Sequence, residues 1–376
     1  MVSRSIFDRA LRLHLDSIVV DLHADTPTEF FLEEGYDFGA RTERGHVDLP
    51  RLRDAGVDVQ FLIAWVPAEC ATSPGASFQH AERLIAAIHS VVSRTPGVRI
   101  ATNASEIRAA RQAGEVAAMI GVEGGHAIEN SLEKLRLLHD RGARYLTLTW
   151  NNSNDWADSS LDVQRHGGLT EFGREVIREM NRLHMLVDIS HTSDETAWDV
   201  LEVSTAPVVA THSNARALAD HPRNLTDDLI RAIAASRGII GINAFPAFLD
   251  GEYGTAYHRL EDAAAALQAQ LEKESGDPEA ARREAQEWLH EEIAKLPQIP
   301  IDAFADHVEH IATVAGIDHV ALGCDFDGIP STPLGLPHVG ALPRVTEVLL
   351  RRGWSDVDVR KLLGGNVLRI LSDVLG

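Results

Sequence analysis

The sequence predicts an α/β protein folded as a TIM (β/α)8 barrel, and three observations carry that expectation. Eight short aliphatic or β-branched runs recur along the chain, and longer stretches of helical period separate them. Several runs are apolar at almost every position, as parallel strands buried on both faces require. The same alternation also allows an open doubly wound sheet, the alternative architecture. At about 150 residues per domain the 376 residues would divide into two or three units, but α/β barrels run longer as one. With no repeat and no low-complexity linker, a single domain over 1–376 is expected.

The runs are Ile18–Leu22, Val57–Ala64, Ala117–Val122, Tyr145–Thr149, Leu186–Ile189, Val208–Thr211, Ile239–Asn243 and His319–Gly323. Among the intervening helical stretches are Phe78–Ser93, Leu132–Arg141, Thr170–Leu183 and Asp227–Ala235. Thr226, Asp227 and Asp228 open the last of these with an N-terminal signal. One segment breaks the alternation. Glu252–Lys295, rich in Ala, Glu, Gln, Arg and Leu around a Gly276-Asp277-Pro278 turn, reads as two helices. It is a helical insertion between strand seven and the helix preceding strand eight. As a solvated decoration or oligomer contact it would carry no chemistry. As a lid it would border the mouth, because insertions after a barrel strand sit on that face.

Composition narrows the functional classes. With 35 Lys+Arg against 56 Asp+Glu the formal charge is −21, the wrong sign for a nucleic-acid surface. No apolar run reaches the ~20 residues of a membrane span. The segment opening the chain carries Arg4, Asp8, Arg9, Arg12 and Asp16 in place of a signal-peptide apolar core. Only Cys70 and Cys324 are present, which allows at most one disulfide. These features predict a cytoplasmic protein with neither nucleic-acid nor membrane partners.

The residues that carry chemistry stand at the C-terminal ends of the strands. Strand one leads into VVDLHADTP, where His23 and Asp25 share a side under the strand period. Strand three leads to Glu123 and nearby His126 in GVEGGH, strand five to His191, strand six to His212, and strand eight to Asp325 and Asp327. Any one of these could be a hydrogen-bonded core residue. Five strands delivering His or carboxylate to one mouth make a metal site the better reading. The mixed nitrogen and oxygen donors suit Zn²⁺ best, with Mn²⁺, Fe²⁺ or Co²⁺ also compatible. The donors exceed the needs of one tetrahedral ion, so two are expected: His23 and Asp25 on one, His191 and His212 on the other, Glu123 bridging. A hydroxide shared by two such ions is a strong nucleophile near neutral pH. Asp325 is then free to carry a proton from that water to a leaving amine. Asp327 reads instead as a turn residue closing the loop.

These residues stand in motifs that resemble the membrane (renal-type) dipeptidase family of the amidohydrolase superfamily. VVDLHADTP, HVDLPRLRDAGVDVQF, GVEGGHAI, YLTLTWNNSNDWADS, DISHTS, THSNARAL, HPRNLTDD and GCDFDG occur in the family's order between Val19 and Gly328. The resemblance implies a barrel with a binuclear zinc centre, two Zn²⁺ per subunit, that hydrolyses dipeptides, including those with a D-residue on the C-terminal side. It implies the same ligands (His23, Asp25, Glu123, His191, His212), Asp325 as the proton-transfer carboxylate and Arg223 as a substrate-binding residue. An Arg there would clamp the dipeptide's terminal carboxylate bidentately. A homodimer is implied as well, while the lipid anchor of the animal forms is not expected here. Where the animal pattern has a substrate-contacting histidine after strand four, this chain has Trp150. The animal disulfide reaching this region lacks its second cysteine. Trp150 is therefore expected in the substrate pocket, narrowing it. The alternative is a related binuclear metallohydrolase acting on another amide, a lactam or an ester.

Overall fold

The computed structural model describes residues 2–376, with side chains from Ser5 onward. Its strands are β1 (Val20–Asp21), β2 (Val59–Trp65), β3 (Val98–Ile100), β4 (Val116–Glu123), β5 (Ala143–Thr147), β6 (Leu186–Asp188), β7 (Val208–Ala210), β8 (Ile239–Ile242) and β9 (Val320–Leu322). All pair in parallel. Because β1 pairs with both β2 and β9, and β2 pairs directly with β4, eight strands close into a barrel. The eight predicted runs coincide with these eight. The fourth is displaced by two residues, Ala143–Thr147 in place of Tyr145–Thr149.

Strand β3 has no counterpart among the predicted runs. It is three residues long with Arg99 exposed, too short and too mixed for a period to show. It covers the edge of β4 at Val116–Ala118, which β5 takes over from Ile120. The register shifts between Ile120 and Gly121. A Cβ at Gly121 would lie 2.3 Å from the Tyr145 ring, so glycine is what admits that ring to the barrel.

Alternate strand residues face two buried layers. Phe61, Ile63, Met119, Tyr145, Val209 and Ala321 belong to an inner cluster. Leu62, Ile120, Leu146, Val187, Ile240 and Leu322 pack with the surrounding helices. The helices begin where the chain supplies a cap. Ser131, Thr170, Ser193 and Thr226 each accept a hydrogen bond from the backbone N–H three residues on, a contribution of about 1 kcal/mol per cap. The predicted helices appear as Ala76–Arg94, Leu132–Asp140, Glu171–Arg182 and Asp227–Ala235.

The insertion forms as expected between β8 and the helix Ile301–Ala315 that precedes β9. Its helices are Gly251–Ser275 and Pro278–Ile293. Gly276, at φ +68°, ends the first, and Asp277 caps the second. Among the described residues, no helix is long and apolar enough to cross a membrane.

Candidate metal centre

The C-terminal ends of the barrel strands, and the residues that directly follow them, carry the site. His23 and Asp25 follow β1, Glu123 ends β4, His191 follows β6, His212 follows β7 and Asp325 follows β9. His23 and His212 are fully buried, and the other four are nearly so. His191 and Asp325 hold left-handed backbone, at φ +69° and +62°. Such conformations cost about 1–3 kcal/mol and persist where the surroundings over-determine them.

The donor atoms converge. Glu123 Oε1 lies 3.0 Å from His191 Nε2 and 3.4 Å from His212 Nε2, while its Oε2 lies 3.6 Å from His23 Nε2. His23 Nε2 is 3.4 Å from Asp25 Oδ2 and 3.8 Å from Asp325 Oδ1. One group of three donors is therefore His23, Asp25 and Glu123, and another is Glu123, His191 and His212. Glu123 is common to both, as the bridging assignment requires. A third grouping, His23, His212 and Asp325, lets Asp325 reach the same space.

The other face of each imidazole settles its tautomer. The Tyr145 hydroxyl donates to Leu22 O at 3.1 Å, so toward His23 Nδ1 at 2.9 Å it accepts. The Thr211 hydroxyl donates to Asp188 Oδ2 at 2.7 Å, so toward His212 Nδ1 at 2.8 Å it too accepts. Asn151 Oδ1 accepts from His191 Nδ1 at 2.9 Å. All three rings thus carry a proton on Nδ1 and turn Nε2 into one space with the carboxylates. His191 Nε2 and His212 Nε2 stand 3.0 Å apart, and His23 Nε2, Asp25 Oδ1 and Glu123 Oε1 are buried without a hydrogen-bond partner. Lone pairs and carboxylates this close repel unless cations lie between them, so the donor set fits divalent metal.

Titration follows the same field. Burial opposes charge on His23, but Glu123 and Asp25 outweigh it and raise its pKa well above the ordinary value. The carboxylates that would hold a proton there would equally hold a metal cation. Burial lowers His191 to about 4, helped by Arg223, and brings His212 well below the ordinary value, helped by His23. Burial resists charge on Glu123 too, yet His23 and His191 bring its pKa well below the usual range. Asp25 is pushed up to about 6 and Asp325 to about 7, chiefly by burial.

A cavity of about 360 Å³ opens over the cluster, lined by Asp25, Glu123, His191, Asp325, Arg223 and Trp150 among others. Arg223 is 3% exposed. Its Nη2 donates to His212 O at 3.3 Å, its Nε is unpartnered, and its guanidinium lies 5.3 Å from the centre of the Phe248 ring. Burial lowers its pKa to about 10, which leaves it charged. Trp150 is half-buried and meets Trp65 edge-on at 4.9 Å. Asp327 stays off the cluster, as expected of a turn residue: it accepts from Thr26 Oγ1 at 2.6 Å and His46 N at 2.5 Å. His126 also lies outside it and bonds Val66 O at 3.0 Å. Sequence reasoning missed the supporting residues Tyr145, Thr211 and Asn243. Their one signal is inward parity on, or just past the end of, barrel strands.

The sequence matches the membrane dipeptidase family over residues 7–375. The chain belongs to that family. Dipeptidase 3 of Mus musculus is 33% identical over 98% of this chain, which spans 66% of that relative's length. The probable dipeptidase PvdM of Pseudomonas aeruginosa superposes with a TM-score of 0.85 at 26% identity, covering 99% of this chain and 98% of the other. A Rhodobacter sphaeroides metallopeptidase, solved with a phosphinate mimic of the dipeptide L-Ala-D-Ala, gives a TM-score of 0.76 at 26% identity, covering 96% and 100%. Membrane dipeptidases are hydrolases of peptide bonds. In this member, the barrel mouth gathers groups of donors that could hold a metal ion.

Proposed function

We propose that the protein hydrolyses dipeptides with a free C-terminal carboxylate, accepting an L- or a D-residue in the second position. The observation that carries this reading is a buried, incompletely bonded guanidinium, Arg223, lining the same small cavity as Asp25, Glu123, His191 and Asp325 of the donor cluster. A buried cation without a counter-ion is costly, and a substrate carboxylate would supply one. The D-residue follows from the ligand of the Rhodobacter relative.

His23, Asp25 and Glu123 would hold one divalent ion, and Glu123, His191 and His212 the second, with zinc favoured by the donors. Bound there, the ions would lower the pKa of a water to about 7 and polarise the scissile carbonyl. The chain's own groups do the rest. Arg223 clamps the terminal carboxylate and sets the peptide bond over the cluster. Asn243 Nδ2 donates to Asp325 Oδ2 at 2.8 Å, which leaves Oδ1 to take a proton from the attacking water. Asp325 then returns that proton to the amine nitrogen as the C–N bond breaks. Trp150 and Trp65 wall the cavity and favour small side chains.

The test is an assay of metal-loaded protein on L,L- and L,D-dipeptides and on the matching dipeptide amides. Acids should turn over and amides poorly, chelation should abolish turnover, and Arg223→Met should lower kcat/KM for the acids by about 100-fold or more. Equal turnover of acid and amide would refute the clamp.

A further inference from the structure

The helical insertion reaches the loop that carries Arg223 through a directed chain of hydrogen bonds. Arg223 N–H donates to His221 Nδ1 at 3.0 Å. With that nitrogen accepting, the His221 proton sits on Nε2 and is donated to His258 Nε2 at 2.8 Å. His258 in turn donates from Nδ1 to Glu261 Oε2 at 2.9 Å. Every donor in this chain meets one acceptor. His258 and Glu261 belong to the helix Gly251–Ser275. His221 is 5% exposed, and its ring centre lies 4.6 Å from that of Phe248, the ring under the Arg223 guanidinium. One imidazole therefore supports Arg223 twice, directly at its backbone N–H and through the Phe248 ring beneath its charged end.

We propose that the insertion helix positions Arg223, with His258 and Glu261 orienting His221, and that it thereby sets affinity for the terminal carboxylate of the substrate. The proposal rests on the reading of Arg223 as the carboxylate clamp. His258 and Glu261 act here as positioning residues.

The test compares the metal-replete parent with His258→Leu, His258→Gln, Glu261→Leu and Arg223→Met, using one dipeptide and its amide. Metal content is measured in each protein. His258→Leu removes both ends of the relay. It should raise KM for the dipeptide by about 10-fold to 100-fold, with kcat changed much less and metal content unchanged. Turnover of the amide should be little affected, so that discrimination between acid and amide narrows. Glutamine supplies an acceptor and a donor, so His258→Gln should recover most of the loss. Glu261→Leu, at a half-exposed side chain, should shift KM in the same direction as His258→Leu. If His258→Leu and Glu261→Leu keep the parent's KM while Arg223→Met loses discrimination, the positioning role is overturned and the clamp stands. If Arg223→Met keeps discrimination, the clamp itself has failed. Equal losses on acid and amide would show a merely structural relay and would also overturn the proposal.

Discussion

Two residues at the mouth show how single positions set the geometry of the cluster. Gly328 lies where an added Cβ would stand 2.3 Å from Asp25 Oδ2 and 2.6 Å from Asp325 Oδ1. We predict that Gly328→Ala forces both carboxylates aside and lowers kcat/KM by about 100-fold. The melting temperature should stay within a few degrees of the parent's. An alanine variant of full activity would show that these carboxylates tolerate displacement. Trp150 is the second case. Its indole can donate a hydrogen bond but can neither ionise nor accept through its nitrogen. Since it meets Trp65 edge-on and lines the cavity, Trp150→Ala should widen the substrate profile toward larger side chains. Trp150→His should alter kcat more than metal content. Retention of both profile and rate by the two variants would place Trp150 outside the substrate site.

At the scale of elements, buried histidines tie the helical layer to its neighbours. His14, on the helix Val2–Asp16, bonds Ala55 O at 3.0 Å through Nδ1 and Thr346 Oγ1 at 2.8 Å through Nε2. The helix thus joins Leu49–Ala55 and Pro343–Arg351. Burial lowers the His14 pKa from 6.5 to about 4. A base whose folded pKa is depressed favours the folded state above its unfolded pKa and loses that contribution as pH falls. The window is therefore pH 6.5 down to about 4, and the difference corresponds to roughly 3 kcal/mol. His307, which accepts from Ala215 N at 3.0 Å, is also lowered to about 4, chiefly by burial, and adds a loss of the same sign. Urea midpoints should fall between pH 7 and pH 5. In His14→Gln, which keeps a donor and an acceptor but cannot titrate, the fall should be shallower. Identical pH slopes would remove His14 from the account.

For the whole molecule, the proposed metal binding and fold stability are linked, because the five proposed ligands come from four strands brought together only by closure of the barrel. Ions that bind only the folded state stabilise it by about 2.7 kcal/mol per site at a free concentration one hundred times Kd. We predict that chelation lowers the melting temperature and that about two equivalents of zinc per chain restore it. Glu123→Gln, which removes the shared negative charge, should weaken both sites and suppress most of the shift. Saturation of the parent by a single equivalent would refute the two-ion arrangement.

The amino-acid sequence by itself determined the barrel and the identity of its clustered donors. Parallel strands buried on both faces must be apolar throughout, so His23, Glu123, His191, His212 and Asp325 stand out at their ends. The Gly276-Asp277-Pro278 turn likewise announces the insertion. What the tertiary structure alone decided is contact between side chains remote in sequence. Periodicity assigns a face to a residue but not a neighbour across the barrel. Strand β3 was hidden because three residues carry no period. The Nδ1 partners that turn each Nε2 into the cluster come from β5, from the loop after β5 and from the end of β7. The relay from Glu261 to Arg223 spans residues that only folding makes adjacent. Local pattern names the chemistry, and closure of the barrel brings it to one point.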